Sequence, residues 1–347
     1  MPYNEAIRRT NVESLIPEVV SREIIDGVPE QSVIMRMARK LPNMSTNRTR
    51  MPILAGLVQA YFVEGTNGYG DEGLKQTTYA NWSHKFLDAA ELAVIVPIPE
   101  AVLDDTSYDI WGEIKPRIVE AFGVKFDRAV LYGEDAPSIW PTNIFDSAVA
   151  TDHAVSIGSG LDLVDDILGI DGLVGLIEED GFDPTGYIAA TRVKRALRSL
   201  RAQDGSLLFM RTPQTSTQYE LDGVGLEFPK NGAIDPAKSL LFVGDWNQLV
   251  WTYRQDITYK ILDQAVIQDE TGKIVFNLAQ QDMVALRAVM RVGWQISNPI
   301  NRMNPNADTR FPFGVLTPGG VPGSIPAQEA APVAPQATRR QKNEEEK

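Results

Sequence analysis

The residues with the most chemical promise lie between positions 65 and 85 of this 347-residue chain. Gly68-Tyr69-Gly70-Asp71-Glu72-Gly73 has the G-x-G-x-x-G spacing that lets a backbone approach a pyrophosphate. That chemistry needs a helix opening directly after the glycines, so that its N-terminal amides hold the phosphates. Thr77-Thr78-Tyr79-Ala80-Asn81-Trp82 is β-prone instead, and Asp71 and Glu72 would repel phosphate. The glycines therefore read as a loose hairpin tip. His84 and His153 are the only histidines, too few for a three-histidine metal site, and His84 has no acid or nucleophile spaced to serve it. Asp104-Asp105, Asp165-Asp166 and Glu178-Glu179-Asp180 have the composition of acid/base dyads or cation sites. Each falls at a predicted helix end, where acids complement the dipole or form a solvated terminus, and none has calcium-loop spacing. The absence of cysteine excludes thiol nucleophiles, thiolate metal sites and disulfides. No catalytic residue, no metal and no cofactor is expected.

Charge narrows the function classes further. The formal net charge of -13 disfavours gripping nucleic acid, which needs clustered Lys and Arg to neutralise phosphates. Residues 1–50 run against this trend, with eight Lys or Arg and six Asp or Glu. They read as an arm, its basic side chains including Arg36, Arg39, Lys40, Arg48 and Arg50. No stretch approaches the roughly 18 consecutive apolar residues needed to cross a bilayer.

The elements that must position these residues follow from periodicity. Val20, Ile24, Val28, Val33 and Met37 predict one helical stretch over 19–39, broken at Gly27 and Pro29, with too little apolar surface to fold alone. Residues 51–98 predict a long hairpin whose tip carries Gly65, Gly68, Gly70, Gly73 and Lys75. Its descending strand alternates only weakly, so it seeks a partner surface. Ile110, Ile114, Ile118, Phe122, Phe126 and Val130 mark one face of a helix from Thr106 or Ser107 to Gly133, with Pro116 and Gly123 as candidate kinks. Helical patterns at 161–179 and 192–201 alternate with short strands at 187–189, 240–243 and 249–253, a separate mixed unit. Apolar residues then occupy every second position from Val284 to Ile296, a strand long enough to lie along the helix for its whole length.

The order of these parts resembles the major capsid proteins of tailed double-stranded DNA bacteriophages with the Hong Kong 97 fold. The resemblance covers about residues 15–303. Ala60-Tyr61-Phe62-Val63-Glu64-Gly65 opens the hairpin, and Ala93-Val94-Ile95-Val96-Pro97-Ile98-Pro99-Glu100-Ala101-Val102-Leu103-Asp104-Asp105 leads into the helix. Asp127-Arg128-Ala129-Val130-Leu131-Tyr132-Gly133 closes the helix, Val243-Gly244-Asp245-Trp246 lies in the mixed unit, and residues 285–299 form the final strand.

The resemblance implies an α+β fold of four parts: an N-terminal arm (1–50), an extended hairpin loop (51–98), a peripheral domain with its spine helix (99–158 and 266–314) and an inserted axial domain (159–265); composition adds a disordered Pro/Ala-rich tail (315–347). The resemblance also implies a non-enzymatic chain that assembles with itself, as hexamers and pentamers, into an icosahedral head enclosing DNA without sequence-specific binding. Expected partners are a portal, a decoration protein and, because only about fifteen residues precede the arm, a separate scaffolding protein. Residence would be the virion capsid, after assembly in the host cytoplasm, with no membrane involved. Some members weld neighbours through a Lys–Asn isopeptide bond helped by a Glu. Here Lys75 stands in the hairpin, but the Asn position falls on Asp282 and the Glu position on Val289, so no autocatalytic cross-link is expected. Alternatives remain open: an encapsulin-type compartment shell with the same fold, an α+β enzyme with an unrecognised site, and a decoration or binding module.

Overall fold

The computed structural model describes residues 32–63, 75, 77–105, 109–160, 162–200 and 219–319. In chain order the elements are α1 (Val33–Met37), β1 (Arg39–Lys40), β2 (Arg48–Gly56), β3 (Asn81–Asp88), β4 (Ala90–Pro99), α2 (Glu100–Asp105), α3 (Ile110–Tyr132), α4 (Ile144–Ala150) and β5 (Ala154–Ser156). Then come α5 (Leu163–Leu168), α6 (Leu173–Glu179), β6 (Gly186–Ala189), α7 (Thr191–Ser199), β7 (Tyr219–Leu221), β8 (Val224–Glu227) and β9 (Leu241–Gly244). The chain continues through β10 (Leu249–Leu262), β11 (Val266–Gln268), β12 (Ile274–Asn277), β13 (Met283–Ile296) and β14 (Phe313–Thr317).

Two main sheets organise the molecule. One has the order β1-β10-β13-β4, antiparallel except where β1 runs parallel to β10. The other has the order β5-β14-β9-β6-β8-β7. The spine helix α3 is a continuous 23-residue rod, about 35 Å long at 1.5 Å per residue. Asp109 caps its start by accepting from Gly112 N at 3.1 Å, and Gly133 ends it in the left-handed conformation, φ 69°. Pro116 sits near its start and does not break it. The long strand β13 has 14 residues and spans about 46 Å, so it overruns the helix rather than matching it. Its residues Leu286, Ala288, Met290, Val292, Trp294 and Ile296 share one buried cluster with Ile118, Phe122 and Phe126 of α3.

The six-stranded sheet is buried on both faces, and the period of two shows it. Ile188, Phe242 and Val315 join the α3 cluster, while their neighbours Tyr187, Ala189, Leu241, Val243 and Leu316 pack on α5, α6 and α7. Such strands read as plain apolar runs in the sequence.

The structure departs from the sequence expectations in several places. The hairpin ladder pairs Arg48–Gly56 with Asn81–Asp88, so Arg48 and Arg50 belong to the hairpin rather than to the arm. Residues 90–99 leave the hairpin and pair with β13, because their apolar side chains complete that sheet. The strand expected at 249–253 is the buried start of the 14-residue β10, which pairs with β13 and not with the inserted unit. Its later half, with Gln255, Asp256, Thr258 and Lys260, lies at a sheet edge where polar residues tolerate water. Residues 154–156 and 313–317 join the six-stranded sheet, so the boundaries at 158, 265 and 314 do not follow the sheets. The tail expected from 315 begins later, since Val315, Leu316 and Thr317 are buried in β14. The helix expected over 161–179 is two helices separated by Gly169-Ile170-Asp171-Gly172. Of the helix expected over 19–39, only Val33–Met37 is helical among the described residues, and the rest of that stretch up to 31 lies outside them. Gly65, Gly68, Gly70 and Gly73 also lie outside the described residues, as does the tail from 320.

Candidate functional site: the arm clasp and the hairpin root

The arm enters the fold through a clasp on α3. Asp127, fully buried, accepts hydrogen bonds from Ser32 Oγ at 2.5 Å, from Val33 N at 3.0 Å and from Ile34 N at 3.4 Å. One carboxylate on the spine helix thus satisfies the free amides that open α1. Burial pushes the Asp127 carboxyl up to about 7, against the hydrogen bonds and the Arg36 charge, which pull it down. One turn earlier Gly123 makes room, since a Cβ there would stand 2.8 Å from Ser32 N.

The basic residues of the sequence reading are held within the chain. Arg36 pairs with Glu227 at 3.0 Å. Arg39 and Lys40 form β1 beside Val250 and Trp251, and Lys40 Nζ lies 5.4 and 5.0 Å from the ring centres of Trp251 and Tyr253. Arg48 pairs with Asp88 at 3.1 Å and covers the Phe86 ring, while an Arg50 Nη lies 2.9 Å from His84 Nδ1. Lys75 is exposed.

At its root the hairpin is bolted to the body. Gln295 Nε2 donates to Phe86 O at 3.0 Å, Lys85 Nζ to Ile296 O at 2.9 Å, and Trp140 Nε1 to Asp88 O at 3.0 Å. Gly293 lets the turn at Asp88 lie directly on β13, because a Cβ there would meet Asp88 O at 2.8 Å. Further out, Leu54 O and Val58 O still accept from Ile300 N at 3.3 Å and Arg302 Nη2 at 2.6 Å, but the large side chains stand uncovered. Phe62 is 103% exposed, Tyr79 80%, Trp82 67%, and Val58 and Tyr61 are each half exposed. A monomer gains nothing by presenting so many large apolar side chains in one projection.

Buried acids escaped the sequence reading. Asp180, read as part of a solvated helix end, is 6% exposed; its carboxylate accepts from Phe311 N and Asn304 Nδ2, both at 2.7 Å. His153 Nε2 faces Asp180 Oδ2 at 3.0 Å, off the straight line of a hydrogen bond, and His153 Nδ1 lies 2.7 Å from Thr151 O. Asp166 holds the loop before α5 by accepting from Gly158 N, Ser159 Oγ and Gly160 N. Asp104 and Asp105 close α2 at the surface. Asp282, which the resemblance puts opposite the cross-linking Asn, is exposed with φ 48°, and Val289, which it puts opposite the Glu, is buried in β13. Among the described residues no three His, Asp or Glu side chains converge as metal ligands.

The chain matches the Phage capsid family over residues 13–301. It is 28% identical over 282 residues to the major capsid protein of Staphylococcus phage 80alpha, covering 79% of each chain. A solved chain of Microbacterium phage Oxtober96 superposes with a TM-score of 0.75 at 30% identity, covering 90% of this chain and all of that one. A chain of Mycobacterium phage Adephagia gives 0.73 at 30% identity, over 92% of this chain and all of that one. With a sheet-and-spine body, a clasped arm and a hairpin whose large side chains stand uncovered, the chain belongs to the phage capsid family, as a major capsid protein of a tailed phage and a structural component of its shell.

Proposed function

We propose that this chain builds an icosahedral head from hexamers and pentamers, with the hairpin of each copy lying across a neighbour. The observation that carries this is the hairpin itself: its root is bonded to the body, while Phe62, Tyr79 and Trp82 stand uncovered. Burying apolar surface at about 25 cal/mol per Å² makes each such contact modest, and a closed symmetric shell repeats it many times. In this reading α3 with the four-stranded sheet forms the peripheral part, and the six-stranded sheet with α5, α6 and α7 the axial part. The head encloses double-stranded DNA without sequence reading, a separate scaffolding protein guides assembly, and a portal and a decoration protein complete the particle. The net charge of -13 suits an inner wall that does not hold packaged DNA.

Negative-stain electron microscopy of the purified chain, expressed alone and then beside a scaffolding protein, tests the proposal. Closed shells or flat sheets of hexamers are the expected result. Monomers under every condition would overturn it.

A further inference from the structure

A cavity of about 520 Å³ opens at the hairpin root, bounded among others by Arg48, Lys85, Phe86, Ile139, Trp140 and Asn298. Its positive charge is not balanced from within. Arg48 is neutralised by Asp88 at 3.1 Å. Lys85 Nζ donates to a neutral acceptor, Ile296 O, and among the described residues no carboxylate pairs with it. Arg310 nearby is 2% exposed and also donates to neutral oxygens: Asn298 Oδ1 at 2.9 Å, Asn304 O at 2.7 Å and Asn298 O at 3.3 Å. Asp180, the acid whose charge reaches Arg310, is already engaged by Phe311 N and Asn304 Nδ2. Burial first, and the Arg310 charge second, pull the Lys85 ammonium below the usual lysine range. A cation held in this way gains from an anion brought in from outside.

We propose that this cavity receives an Asp or Glu carboxylate from a second copy of the chain, which pairs with Lys85 Nζ. The inference rests on the shell reading, which supplies the second copy. Charge complementarity favours that occupant, because every copy carries net charge -13 and offers acids widely. A phosphate backbone fits less well: it calls for clustered cations, whereas this cavity sets one lysine, without a carboxylate partner among the described residues, against walls of Phe86, Ile139 and Trp140, and Asp88 stands beside Arg48. The half-exposed Ile139 offers an apolar contact beside the incoming side chain.

The test uses shells assembled from equal amounts of unlabelled and nitrogen-15-labelled full chains, treated with a carbodiimide that joins amines to carboxylates in contact. Mass spectrometry of the digest is expected to show Lys85 joined to an Asp or Glu, with mixed-mass pairs that prove the partners came from different copies. Lys85→Met, which removes the charge and keeps the bulk, loses the bond to Ile296 O and is expected to leave the subunit folded with only a small drop in melting temperature, while raising the concentration needed for assembly about tenfold. Shells that form normally while Lys85 gives no cross-link, or only uniform-mass ones, overturn the inference and leave the shell reading standing. Protection of Lys85 that appears only when DNA is packaged assigns the cavity to phosphate and overturns it too. Failure of the wild-type chain to form any shell strikes the shell reading itself, and this inference with it.

Discussion

Ser32 and Asp127, 95 residues apart in sequence, meet side chain to side chain at 2.5 Å in the interior, and this bond ties the first described residue to the C-terminal third of the spine helix. Because Asp127 accepts from two backbone amides as well, the whole entry of the arm hangs on one carboxyl group.

That group makes subunit stability depend on pH. Its value is raised to about 7 in the fold from 3.8, with burial as the main cause and Arg36 the charge that opposes it. Between these values the folded chain keeps a proton that the unfolded chain has released. This contribution to stability is therefore complete below about pH 4 and is lost as pH rises through 7, with a slope of at most about 1.4 kcal/mol per pH unit. Melting temperatures of unassembled wild-type chain and Asp127→Asn, taken from pH 5 to pH 8, should show the wild type losing ground to the variant as pH rises. A constant difference would contradict this.

Gly123→Ala sets two effects against each other. Alanine is favoured over glycine inside a helix by about 1 kcal/mol. The new Cβ would stand 2.8 Å from Ser32 N, a backbone atom that cannot swing aside. Overpacking of this kind costs about 1–3 kcal/mol, so the variant should be less stable, with faster amide exchange confined to residues 32–38 and the adjoining turn of α3.

Two tryptophans separate folding from assembly. Trp294 is 1% exposed and packs edge-on against Trp140, with ring centres 6.3 Å apart. Trp294→Ala should cost about 3–5 kcal/mol in urea unfolding. Trp82→Ala, at a position 67% exposed, should leave the unfolding free energy in urea within about 0.5 kcal/mol of wild type. The same variant should lower the yield of shells, read by sedimentation. Deletion of residues 65–73 should likewise leave folded subunits and abolish closed shells.

Asp180→Ala should be among the most damaging single changes. It strips the Phe311 amide and Asn304 of their acceptor and removes the acid near Arg310. Loss of one partner of a buried charge costs about 3–5 kcal/mol, and equilibrium unfolding in urea measures it.

The parts of this fold that a reader could see in the sequence are those with one wet face. The stripe from Ile110 to Val130 and the alternation from Val284 to Ile296 announce α3 and β13, because a helix or strand against a core must sort its side chains. β10 was legible only to Tyr253, since its edge position lets Gln255, Asp256 and Lys260 replace the pattern. β14 was hidden by its brevity and by the Pro318-Gly319 that follows it. The clasp was not found because an acid in a helix normally points to water. Its signal was the pair Gly123 and Asp127, one turn apart on the same face, where a missing side chain marks the close approach of another segment. Asp180 gave no comparable sign, since its partners come from residues 304–311, far along the chain.

The position of β14 fixes an order of events during synthesis. Among the described strands of its sheet it is made last, yet it lies between β5 and β9 and is the strand that β5 pairs with. At about 5–20 residues per second on a ribosome, the roughly 160 residues from β5 to β14 take about 8–32 seconds to emerge. Throughout that interval β5 waits with an empty side, and the six-stranded sheet stays open until the chain reaches Thr317. A nascent copy therefore reaches its complete form late, when nearly all of the described chain is free of the ribosome, and nascent neighbours on one messenger do not dock as finished subunits while they are still being made.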